Sequence, residues 1–231
     1  LMFKNFDEFF LGTKIPDIII SCGKRSIYAS LFVKKHTSNK IFSIHIQNPK
    51  INTNKFDIVV APTHDKIDGK NVISTDLAIN HITTKLLNKH GFQMRESFQS
   101  IQKPICTILI GGRSRNYKFD YSTAINLGES IDNIISNNDV QIYILFSRRT
   151  DKFIKDFFIN KYSTKNLVWQ GKENPYLALL NYSTYLICTS DSVSMISECV
   201  SAKKSVFIFK LPSSKKINRI ENFISSLIKK N

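Results

Sequence analysis

The chain has 231 residues, of which 42% are hydrophobic and 11% aromatic, a composition that indicates a folded globular protein and excludes a disordered one. No apolar run approaches the roughly 20 residues that a membrane-spanning helix needs, and the four cysteines are scattered without a Cys-x-x-Cys pair. The net charge of +15 favours anionic partners, but the lysines are spread along the chain, so nucleic-acid binding is not expected. We expect a cytoplasmic protein with reduced thiols, with peripheral membrane attachment as the alternative location.

The first half of the chain alternates between predicted strands and helices. After an amphipathic segment at 3–10, strands are expected at 18–21, 41–46, 57–61 and near 72, and helices at 24–35 and 79–89. A break follows at His90-Gly91, and the polar stretch 93–103 ends at Pro104. We therefore predict two domains, residues 1–97 and 104–231.

The second half continues the alternation. Strands are expected at 105–110, 141–146, 167–169, 185–188 and 205–209, and helices at 121–136, 152–160, 175–182, 192–201 and 217–229. Alternation of this kind implies parallel sheets covered by helices on both faces. The predicted fold class is α/β with two Rossmann-like domains, by analogy with the GT-B arrangement.

Three loops that directly follow predicted strands carry groups suited to phosphate. In open α/β sheets the ligand lies outside the carboxyl ends of the strands, where glycines, arginines and hydroxyls can approach an anion. The adjacent guanidinium groups of Arg148 and Arg149 can bind phosphate oxygens bidentately, although a solvated turn is the alternative. The pair Gly111-Gly112 could equally serve a tight turn. The predicted phosphate or nucleotide ligands are Gly111, Gly112, Ser114, Arg148, Arg149, Ser192 and Ser194.

The helix predicted at 192–201 has a polar stripe formed by Asp191, Ser194 and Glu198. Its N-terminus offers unpaired N–H groups to a diphosphate, and Glu198 and Asp191 could accept hydrogen bonds from ribose or sugar hydroxyls. The alternative is that Asp191 or Ser192 caps the helix and Glu198 is a solvated surface residue.

Seven motif blocks, in order along nearly the whole chain, match one family. They are Pro16-Asp17 with Ile20 to Arg25, His45 to Pro49, Pro62 to Asp65, Ile110 to Gly112 with Ser114, Ser147 to Thr150, Gly171 to Tyr176, and Thr189 to Met195 with Ser197-Glu198. The chain thereby resembles the mitochondrial-fission "elongated mitochondria" proteins of plants and their bacterial homologues. The resemblance implies a GT-B-like architecture. Bacterial members are often labelled as nucleoside-diphosphate-sugar enzymes, the plant members are associated with recruitment of a dynamin-type GTPase, and the resemblance implies no settled reaction.

The chain departs from the family pattern in two ways. Family members usually begin with a further strand and a loop containing Gly and His, so the N-terminal domain is expected to be incomplete. Asn48 stands where an acidic residue is common.

Acid–base candidates are found in the first predicted domain. His64 and Asp65 follow a predicted strand and could deprotonate an acceptor, although a hydrogen-bonded structural histidine is the alternative. Further candidates for the cleft are Arg25, His45, Gln47 and Asn174. No His-x-x-His, His-Glu-x-x-His or Asp-x-Asp arrangement appears, so no metal site is predicted.

Two hypotheses of different classes follow. The first is a metal-independent glycosyltransferase of GT-B type that takes a nucleotide sugar as substrate and needs no further cofactor. The second is a non-catalytic adaptor that docks on a membrane surface or a partner protein. The sequence alone leaves open whether the chain is an enzyme.

Overall fold

The computed structural model describes residues 15–38, 40–165, 167–214 and 219–230. The chain divides into two compact units, Leu1–Ile79 and Asn80–Asn231. The sequence places this boundary later, between residues 97 and 104. The difference arises because the helix Thr84–Gln93 packs against the helix Tyr176–Tyr182 and so belongs to the second unit.

The first unit contains a four-stranded parallel sheet in the order β1-β2-β3-β4. One α-helix, α1, connects the first two strands, and short 3-10 turns at Thr53–Lys55 and Thr63–Asp65 occur in the next two connections. The elements are β1 (Ile18–Cys22), α1 (Ser26–His36), β2 (Phe42–Ile46), β3 (Ile58–Pro62) and β4 (Val72–Thr75).

The two faces of this sheet differ in burial. On one face Val59 and Ala61 pack with Ile27 of α1 in a buried cluster. Ile18 and Phe42 are register partners in β1 and β2 and therefore lie on the same, opposite face of the sheet. Large apolar side chains on this face remain accessible to solvent. The exposed members of this face are Ile18 (54%), Ile20 (65%), Phe42 (43%) and Ile73 (52%). Between residues 15 and 79 the later connections contain 3-10 turns instead of α-helices, so α1 covers one face and these residues show no helix on the other. The predicted amphipathic segment 3–10 lies outside the described residues.

From residue 105 the second unit has the predicted strand–helix alternation, except that the described residues between 163 and 175 contain no strand. Its elements are α2 (Thr84–Gln93), α3 (Arg95–Phe98), β5 (Ile105–Ile110), α4 (Tyr121–Asn137), β6 (Gln141–Phe146), α5 (Lys152–Tyr162), α6 (Tyr176–Tyr182), β7 (Tyr185–Thr189), α7 (Val193–Ser201), β8 (Ser205–Phe209) and α8 (Arg219–Ile228).

The start of α2 differs from the helix predicted at 79–89. The side-chain oxygen of Asn80 accepts from the N–H of Ile82 at 3.0 Å, which forms a turn where the sequence predicts helix. The Thr83 hydroxyl then accepts from the N–H of Leu86 at 3.2 Å and caps the helix, which therefore begins at Thr84.

The second sheet is parallel, in the order β6-β5-β7-β8. The predicted strand 167–169 is reduced to one parallel bridge between Val168 and Ile144 of β6. With this bridge at the outer edge, the order is that of a Rossmann fold, and the strand order reverses between β5 and β7. All six residues of β5 are buried, as expected for a central parallel strand. The reversal point is the edge at which such folds bind ligands.

Candidate functional site

A cavity of about 730 Å³ lies at the carboxyl edge of the second sheet. Its wall is formed by the ends of β5 and β6, the loop after β6, the segment between residues 169 and 176, and the start of α7. The register aligns Ile110 of β5 with Phe146 of β6 and Leu109 with Cys188 of β7, so the loops that follow are neighbours. The predicted site residues that line the cavity are Arg148, Arg149, Asn174, Ser192, Ser194 and Glu198.

Asp191 joins the three loops behind this cavity. Its carboxylate accepts hydrogen bonds from the Gly112 N–H at 3.2 Å, the Thr189 hydroxyl at 2.6 Å and the Arg149 guanidinium at 2.8 Å. The Asp191 side chain is completely shielded from solvent. Asp191 therefore does not make the predicted contact with a sugar; its buried carboxylate holds the three loops together.

The glycine pair permits a close approach between protein loops. A Cβ atom on Gly111 would lie 2.0 Å from Asp191 Oδ1, and one on Gly112 would lie 2.1 Å from the carbonyl oxygen of Arg149. The Gly111 N–H donates to Thr189 Oγ1 at 2.8 Å, and that of Gly112 to Asp191. Both N–H groups thus have protein acceptors, which departs from the predicted phosphate contact.

Ser114 lies in a turn beyond the glycines. Its backbone N–H donates to the carbonyl of Tyr117 at 3.0 Å, and its hydroxyl accepts from the N–H of Asn116 at 3.2 Å. These contacts close the turn, and Ser114 is not among the residues that line the cavity.

The two arginines differ in their surroundings. One guanidinium nitrogen of Arg149 is bonded to Asp191, and the side chain remains 47% exposed and lines the cavity, so the guanidinium group keeps further donors for a ligand. Arg148 is exposed, and no acceptor within the described ranges bonds to its guanidinium group. The cavity wall therefore presents one arginine fixed by a buried carboxylate and one that can move to a ligand.

The start of α7 supplies the third part of the wall. Ser192 is the N-cap, and its hydroxyl accepts from the N–H of Met195 at 3.4 Å. This agrees with the capping alternative, while Ser192 and Ser194 both line the cavity. The first N–H groups of a helix carry a partial positive charge and bind anions, so this end of α7 suits a phosphate.

Glu198 lies one turn beyond Ser194 on the same side of α7 and lines the cavity. Its Oε2 accepts a 2.5 Å hydrogen bond from the hydroxyl of Tyr176, the first residue of α6. Burial, together with this bond to Glu198, raises the pKa of Tyr176 well above its ordinary value, so the phenol stays protonated. The side chain of Asn174, another predicted site residue, accepts from the Tyr176 N–H at 3.1 Å and fixes the start of α6.

Sequence reasoning missed several cavity residues, notably Tyr176, Trp169, Lys172 and His81. The motif from Gly171 to Tyr176 contains Lys172 and Tyr176 and could have indicated both, although the prediction takes only Asn174 from it. Trp169 donates its indole N–H to the Glu173 carbonyl at 2.9 Å, which folds this segment back beside the cavity.

The first unit contains the predicted acid–base candidates. His64 and Asp65 form a 3-10 turn directly after β3, at the carboxyl edge of the first sheet, and both are half-buried. Arg25 precedes α1 and Gln47 follows β2, and both side chains are exposed. These positions match the predicted strand ends, and the catalytic roles stay predictions.

His45, in contrast, is a core residue. Its side chain is 0% exposed, stacks on the ring of Phe56 at 4.9 Å and bonds through Nδ1 to the Ser21 hydroxyl at 2.8 Å. Burial lowers the pKa of His45 below its ordinary value of 6.5, which favours the neutral ring. The expectation that His45 faces a ligand is therefore wrong, because its position on β2 points it into the buried face of the sheet.

Among the residues that the structure describes, no group of three or more His, Cys, Asp or Glu side chains could hold a metal ion. The helices in these ranges are also too short or too polar to cross a membrane.

Two parallel-sheet units, with a Rossmann strand order in the second, define a GT-B-like α/β protein. A candidate UDP-N-acetylglucosamine 2-epimerase from Listeria monocytogenes aligns over 95% of this chain and 62% of its own, with a TM-score of 0.56 and 10% identity. The structure of S. aureus MnaA with UDP aligns over 97% of this chain and 69% of its own, also with a TM-score of 0.56 and 10% identity. At this identity the likeness establishes the fold alone, and it confirms the predicted fold class.

The particular family follows from the sequence. The sequence model of the mitochondrial fission ELM1 family matches residues 3–231, and the chain belongs to this family. The uncharacterized protein RP120 of Rickettsia prowazekii is 27% identical, over 92% of this chain and 70% of its own length. The mitochondrial fission protein ELM1 of Arabidopsis thaliana is 26% identical over 84% of this chain, which spans 51% of the plant protein. The predicted family is confirmed.

Proposed function

We propose that the second unit binds the diphosphate of a nucleotide sugar in the cavity at its carboxyl edge, and that the protein is a glycosyltransferase. One observation carries the proposal: a single cavity is lined by Arg148, Arg149, the N-terminus of α7 and the carboxylate of Glu198. Guanidinium groups and the N-terminus of a helix bind phosphate oxygens, and a carboxylate accepts hydrogen bonds from hydroxyl groups.

The size and position of the cavity agree with such a ligand. Its volume of about 730 Å³ falls within the range typical of small-molecule sites. It lies where the strand order reverses, the usual ligand position in this sheet topology. A protein of similar fold, S. aureus MnaA, has been solved with UDP, which supports a nucleoside diphosphate as the first ligand to test.

Within this proposal Arg148 and Arg149 bind the diphosphate together with the N–H groups at Ser192 and Ser194, and Glu198 binds ribose or sugar hydroxyls. The arginines and the helix dipole would stabilise the leaving diphosphate without a metal ion. His64 or Asp65 would deprotonate the acceptor.

A second candidate function is a non-catalytic adaptor. The exposed apolar side chains of Ile18, Ile20, Phe42 and Ile73 on the first sheet favour it, since exposed apolar patches often mark interaction surfaces. The plant relative is named as a mitochondrial fission protein, which refers to a cellular process instead of a chemical reaction and also favours this candidate.

Thermal shift with UDP, GDP, ADP, CMP and their sugar conjugates separates the two functions. A ligand at 100 times its dissociation constant adds about 2.7 kcal/mol of stability, enough to raise the melting temperature by several degrees. The proposal expects a shift with one nucleotide class that Arg148→Ala removes. The matched control is Arg115→Ala, an exposed arginine in the loop after β5 that does not line the cavity. A cooperative melt without any shift would favour the adaptor.

Donor turnover then tests the transferase step. We expect the sugar conjugate that gives the shift to be cleaved between the sugar and the diphosphate in the presence of a metal chelator, with water taking the sugar and the nucleoside diphosphate leaving. His64→Ala or Asp65→Ala should abolish this cleavage. Binding of the donor without this cleavage would contradict the roles proposed for His64 and Asp65 and would leave a nucleotide-binding protein.

A further inference from the structure

The hydroxyl of Tyr176 and the carboxylate of Glu198 connect two helices at the cavity wall. Tyr176 is the first residue of α6 and Glu198 lies in α7, and both side chains line the cavity. Their oxygens are 2.5 Å apart, a distance typical of a hydrogen bond between a hydroxyl and an ionised carboxylate. The pair is therefore a strong contact inside the proposed ligand site.

The bond occupies only one side of the carboxylate. Tyr176 donates to Oε2, and no donor within the described residues bonds to Oε1. An ionised carboxylate has about four lone-pair sites, so most of its accepting capacity remains. The free oxygen lies on a side chain that borders the cavity, where a ligand can reach it.

The contact also restricts the motion of Glu198. A glutamate side chain has several rotatable bonds, and a ligand that binds it must overcome the entropy lost when these are fixed. Tyr176 is half-buried, and its backbone N–H donates to the side chain of Asn174 at 3.1 Å, which fixes the backbone that carries the ring. Its hydroxyl can therefore hold the carboxylate in one orientation before a ligand arrives.

We infer that Tyr176 is a positioning residue that presents Glu198 to a pair of neighbouring hydroxyl groups and so makes the site selective for ribose over 2′-deoxyribose. The inference rests on the proposed nucleotide site and adds to it a residue and a specificity. A 2′-deoxy ligand lacks one of the two hydroxyls, and the oriented carboxylate would lose one donor.

The bond could instead only tether α6 to α7, and the same helix offers a matched control. Tyr182 is the last residue of α6, and its hydroxyl donates to the Gly91 carbonyl at 3.1 Å, outside the cavity. Tyr182→Phe and Tyr176→Phe each remove one tyrosine hydroxyl from α6. Only the second removes a hydroxyl that contacts Glu198.

The test is calorimetric titration of the full chain with ADP, GDP, CDP and UDP and with their 2′-deoxy counterparts. For the best-bound base, the wild type should prefer the ribose form by about tenfold, the value of one hydrogen bond to a charged group. Tyr176→Phe should bring this ratio close to one through weaker binding of the ribose form, with the deoxy form little changed. Tyr182→Phe should keep the wild-type ratio.

Each other result has a defined meaning. A ribose preference that survives in Tyr176→Phe overturns the inference and leaves the nucleotide site standing. Equal weakening of both sugar forms in Tyr176→Phe also overturns it, because a tether between helices would act in this way. A wild type that binds without preference contradicts the ribose role, and one that binds none of the eight ligands contradicts the proposed function itself.

Discussion

The guanidinium group of Arg149 lies 2.8 Å from the carboxylate of Asp191, whose side chain has no exposure to solvent, whereas that of Arg149 is 47% exposed. The arginine thus extends from a buried carboxylate to the wall of the cavity. A buried carboxylate requires its partners, because removal of one leaves an uncompensated charge. Substitution of Arg149 consequently affects both the folding of the loops and the proposed ligand site.

Asp191→Ala should destabilise the second unit by about 1–3 kcal/mol, because it leaves the Gly112 N–H and the Thr189 hydroxyl without their buried acceptor. Arg149→Ala should cost about 3–5 kcal/mol, because it leaves the Asp191 carboxylate buried without its cation. Urea unfolding followed by tryptophan fluorescence measures both, because the only tryptophan, Trp169, lies in the second unit. Arg115→Ala is the control, and equal stability of all four proteins would contradict the role of Asp191.

Gly111→Ala should destabilise the second unit by about 1–3 kcal/mol or more, as expected for overpacking at a site that cannot relax. The new Cβ would lie 2.0 Å from Oδ1 of the buried Asp191. Gly128→Ala is the control: its Cβ would meet the flexible end of Lys161 at 3.2 Å and the edge of the Phe157 ring at 3.3 Å, both much longer distances than at Gly111. Thermal melting of the two variants compares them directly, and a Gly111→Ala protein as stable as Gly128→Ala would contradict the packing role.

The first unit should lose stability as the pH falls below about 6.5. Burial lowers the pKa of His45 beneath this ordinary value, so the unfolded chain binds the proton more readily than the folded one. The stability that the neutral His45 ring contributes to the first unit is complete above pH 6.5 and is lost as the pH falls through the folded-state pKa of His45. Hydrogen exchange of peptides covering β2 at several pH values measures the effect. In His45→Asn, which cannot titrate, this part of the pH dependence should vanish.

A second pH dependence should appear in the acid range. Burial alone would raise the pKa of Asp57, but hydrogen bonds from Lys34 at 2.6 Å and from the Ser43 N–H at 2.7 Å outweigh it and lower this pKa. The stabilisation is complete above the ordinary pKa of 3.8 and is lost as the pH falls further.

Wild type and Asp57→Asn should accordingly differ most at neutral pH and converge in acid, measured as the free energy of unfolding of the first unit. Asp139→Asn is the control. Asp139 forms an exposed ion pair with Lys103, and the two side chains are 80% and 56% exposed, respectively. A constant difference between wild type and Asp57→Asn at every pH would refute the assignment.

Most strands and helices could be predicted from local patterns. The strand 105–110 is predicted with its observed bounds because a short, mostly apolar run rich in β-branched residues between Pro104 and Gly111 has few alternatives. The helix predicted from residue 79 was wrong at its start, since a turn at Asn80 and a cap at Thr83 compete with apolar periodicity. Local polar side chains therefore decide boundaries that periodicity alone does not.

Long-range contacts were the part that the sequence could not supply. The neighbouring residues Asp191 and Ser192 have different environments: Asp191 is buried behind the loops, while Ser192 caps α7 at the cavity. The contact between Tyr176 and Glu198 joins residues 22 positions apart, and no spacing rule predicts it. His45 was assigned to a ligand by its place at a strand end, whereas the alternation of β2 directs it into the core.

Direct titration of the full chain with nucleoside diphosphates, in wild type, Arg148→Ala and Arg115→Ala, tests the central claim that the cavity of the second unit is a diphosphate site. Arg148 suits this measurement better than Arg149, because no buried carboxylate depends on it. We predict saturable binding of one nucleotide class, at least tenfold weaker in Arg148→Ala and unchanged in Arg115→Ala. Absence of binding in the wild type, or equal binding in all three proteins, would contradict the claim.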